Sequence, residues 1–549
     1  MQYVLKVHPD DNVLVALQDL KAGEIISWSG QNVNITQDIP AKHKFVDRDL
    51  HAGDIIIMYG SGIGKAKEDI ACGQAITTQN IVNYVQEVTY QEVSETWIVP
   101  DVVKWRDKTF MGYHRHGGSV GTANYWLVIP LVFCENRNIE VIREILEKEL
   151  GYYRHYSKSK LKIQPLIDLY LGGAPVSEIE NTILEQSGVI YQKNKVFPHV
   201  DGIKFLIHDA GCGGSRRDAE ALCALLAGYI ANPNVAGATV LSLGCQNAEV
   251  RTLELYLQNY GADKKPVYIL EQQQFDSDTK FIEQAIKKTF IGLIEADKTY
   301  RRPAPLSKLV VGVECGGSDG FSGITANPSI GYASDLVVAL GGKVLLSEFP
   351  ELHGVEQELI NRCGIKEVAE KFLNLMETYG RLAMESGAGF ETNPSPGNIK
   401  DGLITNAMKS AGAAKKGGTS PVKAVLDYTE QATKQGLNLL CTPGNDVEST
   451  TALAGSGVNI ILFSTGLGTP TGNPVAPTIK ISSNTVLFER MPDIIDIDTG
   501  SIITGTDTIE QKGEEILDYM IEVASGRAAT RSMQLGQDDF IPWKRGISL

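Results

Sequence analysis

Short apolar runs separated by turn residues open the chain, and a longer alternation of strand-like and helix-like segments follows. Through residue 85 the runs Tyr3–Val7, Glu24–Trp28, Val33–Ile35 and Asp54–Met58 are divided by Gly, Asp and Asn. Helical periodicity is scarce there, which predicts a small β-rich module over 1–85. Residues 86–110 read as a polar linker. From residue 111, strand-like runs alternate with amphipathic segments of helical length: Trp126–Phe133, Ile203–His208, Thr239–Leu243, Val267–Leu270, Leu309–Glu314, Lys343–Ser347 and Asn459–Ser464. The clearest helix is Ser215–Ile230, with Ala219, Leu222, Cys223, Leu226 and Ile230 on one face. Such alternation predicts the α/β class with parallel, doubly wound sheets, whose ligands gather beyond the C-terminal strand ends. The segment 151–196 breaks the rhythm and predicts a helical insertion within a domain spanning 111–390. After residue 390 turns rich in Gly, Pro, Ser and Thr become dense, predicting a C-terminal α/β domain over 391–549.

Composition narrows the function. The 549 residues carry a formal net charge of −15, which argues against nucleic acid, because a phosphate backbone rewards clustered Lys and Arg. No apolar run reaches the roughly 18 residues of a membrane span, and Met1–Val7 lacks the apolar core of a secretory leader. Eight cysteines without a CxxC pair are too sparse for a disulfide framework. A cytoplasmic protein in a reducing compartment is expected, with cysteines serving as core residues, metal ligands or nucleophiles.

Three of those cysteines share one context. Cys212 (HDAGCGG), Cys245 (LGCQN) and Cys315 (ECGGSDG) each lie beside Gly just past a strand-like run. Parallel strands align such ends along one edge, so the three thiols could converge on a metal and leave an open position for a substrate hydroxyl. Each alone reads more readily as a buried packing residue in a tight turn. The other five (Cys72, Cys134, Cys223, Cys363 and Cys441) are assigned to the core. His208 is a candidate ligand or base, or else a core histidine. The loop Gly316–Gly320 matches G-x-S-x-G, which would make Ser318 the nucleophile of a serine hydrolase with His353 as partner. A helix should follow at once, yet Phe321–Thr325 begins one poorly, so anion binding by backbone N–H groups fits better. Loops 393–397, 415–420 and 465–472 offer amides, hydroxyls and Lys to a polyhydroxy acid. The run Gly60–Lys65 fails the spacing of a phosphate loop. In the N-terminal module, Lys42–His43–Lys44 offers His43 and Lys44 as acid/base groups over a neighbouring site, or as surface residues.

Taken together, the motifs resemble the altronate/galactarate dehydratase family of sugar-acid hydro-lyases over nearly the full chain. The resemblance is carried by VHPDDNVLVAL (7–17), IPAKHKF (39–45), YGSGIGKA (59–66) and MGYHRHGGSVGTANYW (111–126). Further matches are HDAGCG (208–213), NPNVAGATVLSLGCQN (232–247), VECGGSDGFSGITANPSIGYASD (313–335) and SEFPEL (347–352). The C-terminal matches are NPSPGN (393–398), KGGTSPV (416–422), LCTPGNDVEST (440–450), ILFSTGLGTPTGNP (461–474) and IKISSNT (479–485).

The resemblance implies an N-terminal SAF-type β-clip domain and loss of water from a sugar acid, altronate leading, to a 2-keto-3-deoxy acid. Galactarate dehydration and sulfite elimination from sulfolactate are related activities, and a non-catalytic sugar-acid binder is the remaining reading. Divalent iron is implied, mononuclear or as a cluster, with Cys212, Cys245 and Cys315 as expected ligands. His43, Lys44 and His208 are the acid/base candidates. Ser318, Asp319, Asn327, Lys409, Ser410 and Thr469 are candidates for holding substrate. The only expected ligand is a small sugar acid, with a homodimer as the assembly to test. Ala123 and Leu467 stand where the family usually carries Arg, and Lys400 is displaced from its usual place in the run 398–402. Arg is the natural clamp for a carboxylate, so these differences bear on the substrate.

Overall fold

The structure is a computed structural model, and it describes residues 3–28, 30–86, 88–90, 97–152, 162–184 and 194–547. The N-terminal module is all β. It comprises three small antiparallel sheets built from Val4–Leu5, Val13–Ala16 and Lys44–Val46, from Ile25–Trp28 and Gln31–Asn34, and from Ile55–Met58, Ser61–Ala66 and Ile81–Val82. The failed phosphate loop is a strand here, Ser61–Ala66, which packs on a helix of the C-terminal region.

Beyond the N-terminal module lie a small antiparallel sheet of Val120–Gly121, Thr109–His114 and Arg302–Pro305 and two larger parallel sheets. The first has β1 (Tyr125–Pro130), β2 (Gly202–Phe205), β3 (Val235–Ser242) and β4 (Val267–Glu271) in the order β2-β1-β3-β4. The second has β5 (Val310–Cys315), β6 (Lys343–Leu346), β7 (Val422–Leu426), β8 (Gly436–Leu440), β9 (Ile460–Thr465), β10 (Thr478–Ser482) and β11 (Ile497–Asp498) in the order β7-β8-β6-β5-β9-β10-β11. All pairings in both are parallel. Strands covered on both faces need apolar residues throughout, and β1, β3 and β9 are buried along their whole length. The helices that matter for the sites are α1 (Asn136–Leu150), α2 (Arg216–Ala231), α3 (Ala326–Ala339), α4 (Asn406–Ala414) and α5 (Asp446–Gly455). Helix α2 starts where Ser215 accepts a hydrogen bond from the Asp218 N–H, the expected cap.

The second sheet runs across residue 390 without interruption, since β6 pairs with β8 in the register Lys343↔Gly436. The boundary expected there is therefore a feature of loops: the Gly- and Pro-rich turns lie between strands of a single sheet. One hydrophobic core joins the N-terminal module to this sheet, with Val15, Ile56, Tyr59 and Ile63 in contact with the cluster of Phe321, Ile330 and Leu346. Another joins the two sheets through Leu225, Tyr229, Leu453 and Phe463. Within the expected insertion the structure places short helices at Gln164–Leu171 and Val176–Glu180; residues 153–161 and 185–193 lie outside the described residues. Among the described residues no helix is long and apolar enough to cross a membrane.

Candidate active site

In the seven-stranded sheet the chain leaves β5 toward β6 on one side and later returns to place β9 on the other, which makes the gap between β5 and β9 the switch point where open α/β sheets hold ligands. Cys315 ends β5 opposite Ser464 of β9. Beyond it a cleft of about 300 Å³ is lined by Cys315 to Ser318, Glu351, Asn393, Ser395, Gly397, Asn398, Lys409, Gly444, Asp446 and Leu467. Gly316 allows this approach: a Cβ there would collide with Asp446 Oδ2. Gly317, at φ +60°, turns the loop in a conformation that side chains disfavour.

Beneath the cleft lies a buried network of opposite charges. Lys416 Nζ is 2.8 Å from Cys315 Sγ and 3.2 Å from Glu348 Oε2. The Cys315 thiol faces Glu351 Oε2 at 3.2 Å, and Lys409 Nζ lies 2.5 Å from Glu351 Oε1 and donates to Asn393 Oδ1 at 2.8 Å. Glu314 Oε2 accepts from Ser347 Oγ (3.0 Å) and Ser449 Oγ (2.5 Å), and its carboxyl also faces that of Glu348. Glu348 adopts the left-handed conformation at φ +66°, held by its N–H donating to Thr442 Oγ1 at 2.8 Å. A non-glycine residue there is strained, and the strain turns its carboxylate toward Lys416.

Four carboxyls face two ammoniums, so burial must protonate part of the set. Burial, with Glu348 next, raises Glu314 well above the carboxylate range. Burial and then Glu351 lift Glu348 to about 7, against the pull of Lys416. Burial opposes ionisation of Glu351 as well, but Lys409 and Lys416 overcome it and hold the carboxyl below its usual value. Burial and then Glu351 raise the Cys315 thiol against the pull of Lys416, and Lys416 is raised in turn because Cys315, Glu348 and Glu351 outweigh its burial. Asp446 is raised by burial and by Glu351, and no ammonium pairs with it among the described residues. That leaves one carboxyl at the cleft free to exchange a proton.

The expected site residues fall into three places. Ser318 and Lys409 line the cleft. Thr469 lies beside the Gly317 turn, and its carbonyl accepts from Lys480 Nζ. Ser410 is buried on α4 without a hydrogen-bond partner. Asp319 and Asn327 are saturated by protein: Asp319 accepts from Ser322 and Ser483 and pairs with Lys42 at 2.9 Å, and Asn327 bridges Ser464 and the Gly412 carbonyl. Both therefore position the loop and cap of α3 instead of meeting a ligand. Among the described residues Ser318 has no histidine partner, and His353 is engaged by Glu356 at 2.8 Å and by the Phe390 ring, so the hydrolase reading finds no dyad there.

The N-terminal module docks next to the cleft wall. His43 Nε2 contacts the Lys400 carbonyl at 3.1 Å, and Lys44 Nζ donates to the Gly402 carbonyl at 2.8 Å. Burial lowers the His43 pKa and brings that of Lys44 down to about 7. His208 is different. Its Nε2 meets the Pro130 carbonyl at 2.7 Å and its Nδ1 accepts the Ala210 N–H at 3.1 Å, so a neutral ring has neither proton nor lone pair left for a substrate. It is a positioning residue for the loop that carries Cys212.

The expected iron ligands are also divided. Cys315 is buried on the seven-stranded sheet, with ligand atoms of Glu348 and Glu351 within 4.8 Å of it and of each other. That donor set could hold a cation, but Lys416 and Lys409 already occupy its anionic atoms and supply the positive charge a metal would bring. Cys212 and Cys245 are exposed, following β2 and β3 of the four-stranded sheet, as Cys134 follows β1, whereas Cys315 ends β5 of the other sheet. Of the two missing arginines, Ala123 is buried at the start of β1, away from the cleft lining, whereas Leu467 lines the cleft. Glu314, Glu348, Glu351 and Asp446 were not expected in the site, and Lys416 was expected only as part of the loop 415–420. The signal was two Glu three residues apart after a strand (SEFPEL) and a buried Lys before two glycines.

Comparison with known proteins agrees with this architecture. Family models match in three consecutive blocks: "Altronate/galactarate dehydratase SAF domain" over 2–84, "D-galactarate dehydratase/Altronate hydrolase, second domain" over 112–297, and "D-galactarate/Altronate dehydratase, C-terminal" over 306–548. The chain is 34% identical to altronate dehydratase of Bacillus subtilis (strain 168) over 527 residues, 96% of each chain. It is 30% identical to galactarate dehydratase (L-threo-forming) of Escherichia coli (strain K12), over 97% of this chain and 95% of that one. A more distant relative is the (2R)-sulfolactate sulfo-lyase subunit beta of Chromohalobacter salexigens, 27% identical over 79% of this chain and 97% of its own. The last block ends the same seven-stranded sheet that crosses residue 390, and the first coincides with the β module. With a SAF domain, two α/β sheets and a cleft at the second sheet's switch point, the chain belongs to the altronate/galactarate dehydratase family of hydro-lyases.

Proposed function

We propose that this enzyme dehydrates an aldonate, altronate foremost, to the corresponding 2-keto-3-deoxy acid. The observation that carries the choice is the charge of the cleft lining: one ammonium, Lys409, against two acidic side chains, Glu351 and Asp446. Lys409 already gives N–H donors to Glu351 and Asn393, and with Leu467 apolar at the same wall its third N–H can meet one substrate carboxylate and leaves no cation for a second. A monocarboxylate is therefore favoured over an aldarate such as galactarate. Ser318, Ser395, Asn393 and Asn398 offer hydroxyls and amides suited to a polyhydroxy chain.

The chemistry follows from acidity. The proton on C2 is weakly acidic until the adjacent carboxylate is neutralised, so Lys409 holds that carboxylate and stabilises the enediolate-like charge as it forms. Asp446, raised by burial and free of an ammonium partner, takes the C2 proton. The C3 hydroxyl departs as water on a proton from solvent, Asp446 returns the C2 proton to solvent, and the resulting enol becomes the ketone by taking a solvent proton at C3 as its hydroxyl proton is lost. Divalent iron, which the resemblance implies, would supply a Lewis acid when bound; the thiols suited to hold it stand at the edge of the four-stranded sheet, and the steps in the cleft are those of its own residues. Lys42, His43 and Lys44 close the cleft wall from the N-terminal domain. Free thiols of this kind suit a reducing cytoplasm.

The test is an anaerobic, iron-supplemented assay of D-altronate, galactarate and sulfolactate, with carbonyl product followed in time. Turnover of altronate well above galactarate is expected. Preference for the dicarboxylate would overturn the substrate assignment while leaving the family intact.

A further inference from the structure

We propose that Cys134, Cys212 and Cys245 together ligate an iron–sulfur cluster at the C-terminal edge of the four-stranded sheet, with one iron left open to an exogenous ligand. The three residues follow three adjacent strands, β1, β2 and β3, on the same edge. That edge is a second switch point, because the chain goes from β1 to β2 on one side and then returns to place β3 on the other.

The loops are tied together by backbone hydrogen bonds. Phe133 N donates to the Ala210 carbonyl at 3.0 Å, and Ala248 N to the Gly211 carbonyl at 3.1 Å. Asn136 Nδ2 donates to the His208 carbonyl at 2.8 Å, and Asn247 Nδ2 to the Gly214 carbonyl at 3.1 Å. Gly211, at φ +100°, lies so close to the turn before Cys134 that a Cβ would collide with the Leu131 carbonyl. Cys134, Cys212 and Cys245 are all exposed, whereas Cys223, Cys315, Cys363 and Cys441 are buried. Free Cys is ordinarily among the most buried residue types, so three exposed neighbours on braced loops are unlike packing residues.

Spacing distinguishes a cluster from a single ion. Thiolates on one tetrahedral metal, with bonds of about 2.3 Å, stand within about 4 Å of one another. The three sulfurs here do not all lie within 4.8 Å of one another. A cluster presents its irons at separate corners and is held by just such a wider set of cysteines. Cys315 is excluded from the site by its place on the other sheet.

The experiment is anaerobic reconstitution of the full chain with ferrous iron and sulfide, reading bound iron, acid-labile sulfide and visible absorption. Cys134→Ser, Cys212→Ser and Cys245→Ser are each expected to lose at least tenfold in bound sulfide, with unchanged far-ultraviolet circular dichroism, and Cys315→Ser to keep the wild-type content. In the wild type, the cluster should protect the same three thiols from alkylation, mapped by mass spectrometry. Wild-type content in the three variants, iron bound without sulfide, no uptake by the wild type, or loss confined to Cys315→Ser would each overturn the proposal. The readouts are independent of the substrate, so failure here is distinguishable from failure of the aldonate assignment.

Discussion

Replacing Lys416 with Met tests the buried charge network at its least accessible point. Lys416 is 1% exposed and lies 2.8 Å from Cys315 Sγ and 3.2 Å from Glu348 Oε2. Methionine fills the volume but leaves Glu348 and Glu351 facing each other with one ammonium fewer. Breaking a buried pair by removing one partner costs about 3–5 kcal/mol. At about 2–4 °C per kcal/mol for a unit of this size, the melting transition of the C-terminal region should fall by about 6–20 °C. The deficit should depend on pH in a definite direction. Glu348 is raised in the folded protein to about 7 from 4.5, so its contribution is present at low pH and is lost as pH rises through 7. Without Lys416 the folded value rises further, and a proton can replace the ammonium at pH 6 more readily than at pH 8. The deficit is therefore about 1 kcal/mol smaller at pH 6 than at pH 8. Differential scanning fluorimetry at both values measures it, and adding Glu348→Gln to the variant should restore most of the loss. A variant that melts within a degree of wild type at pH 8, or one whose deficit grows on acidification, refutes the network as described.

Other substitutions separate chemistry from support. Asp446→Asn should keep the melting temperature and lose about 10²–10⁴ in kcat, the usual worth of a positioned proton acceptor, by steady-state carbonyl assay. His208→Ala should lose about 1–3 kcal/mol of stability by stranding two backbone groups, measured by chemical denaturation; lost activity at unchanged stability would contradict its positioning role. Lys42→Met removes the 2.9 Å pair with buried Asp319 and should weaken docking of the N-terminal domain by about 1.5–3 kcal/mol, seen as faster proteolysis near residue 86.

Strands β1, β3 and β9 were legible because each is buried along its whole length and reads as a continuous apolar run. The run Val267–Leu270 is one residue short of β4, and Leu309–Glu314 is offset by one from β5. Strands β7, β8 and β10 were missed, since Val422–Leu426, Gly436–Leu440 and Thr478–Ser482 lie among Gly, Pro and Thr that read as loops. The glycine loop after Cys315 was visible as a motif, but its charged neighbours were not. Glu348 and Glu351 arrive from β6 and Lys409 and Lys416 from α4 and its end, and nothing local reveals that they meet. Cys134 was assigned to the core because no Gly flanks it; the braces that place it beside Cys212 are backbone bonds between strands that only the sheet order brings together.

The central claim is that the cleft between β5 and β9 removes water from an aldonate through proton abstraction at C2. Proton NMR of the reaction with D-altronate in heavy water tests it directly. The wild-type enzyme should yield a 2-keto-3-deoxy acid carrying one solvent deuteron at C3, and Asp446→Asn should yield none in the same time. Product without deuterium at C3, or equal turnover by the Asp446 variant, would contradict the account.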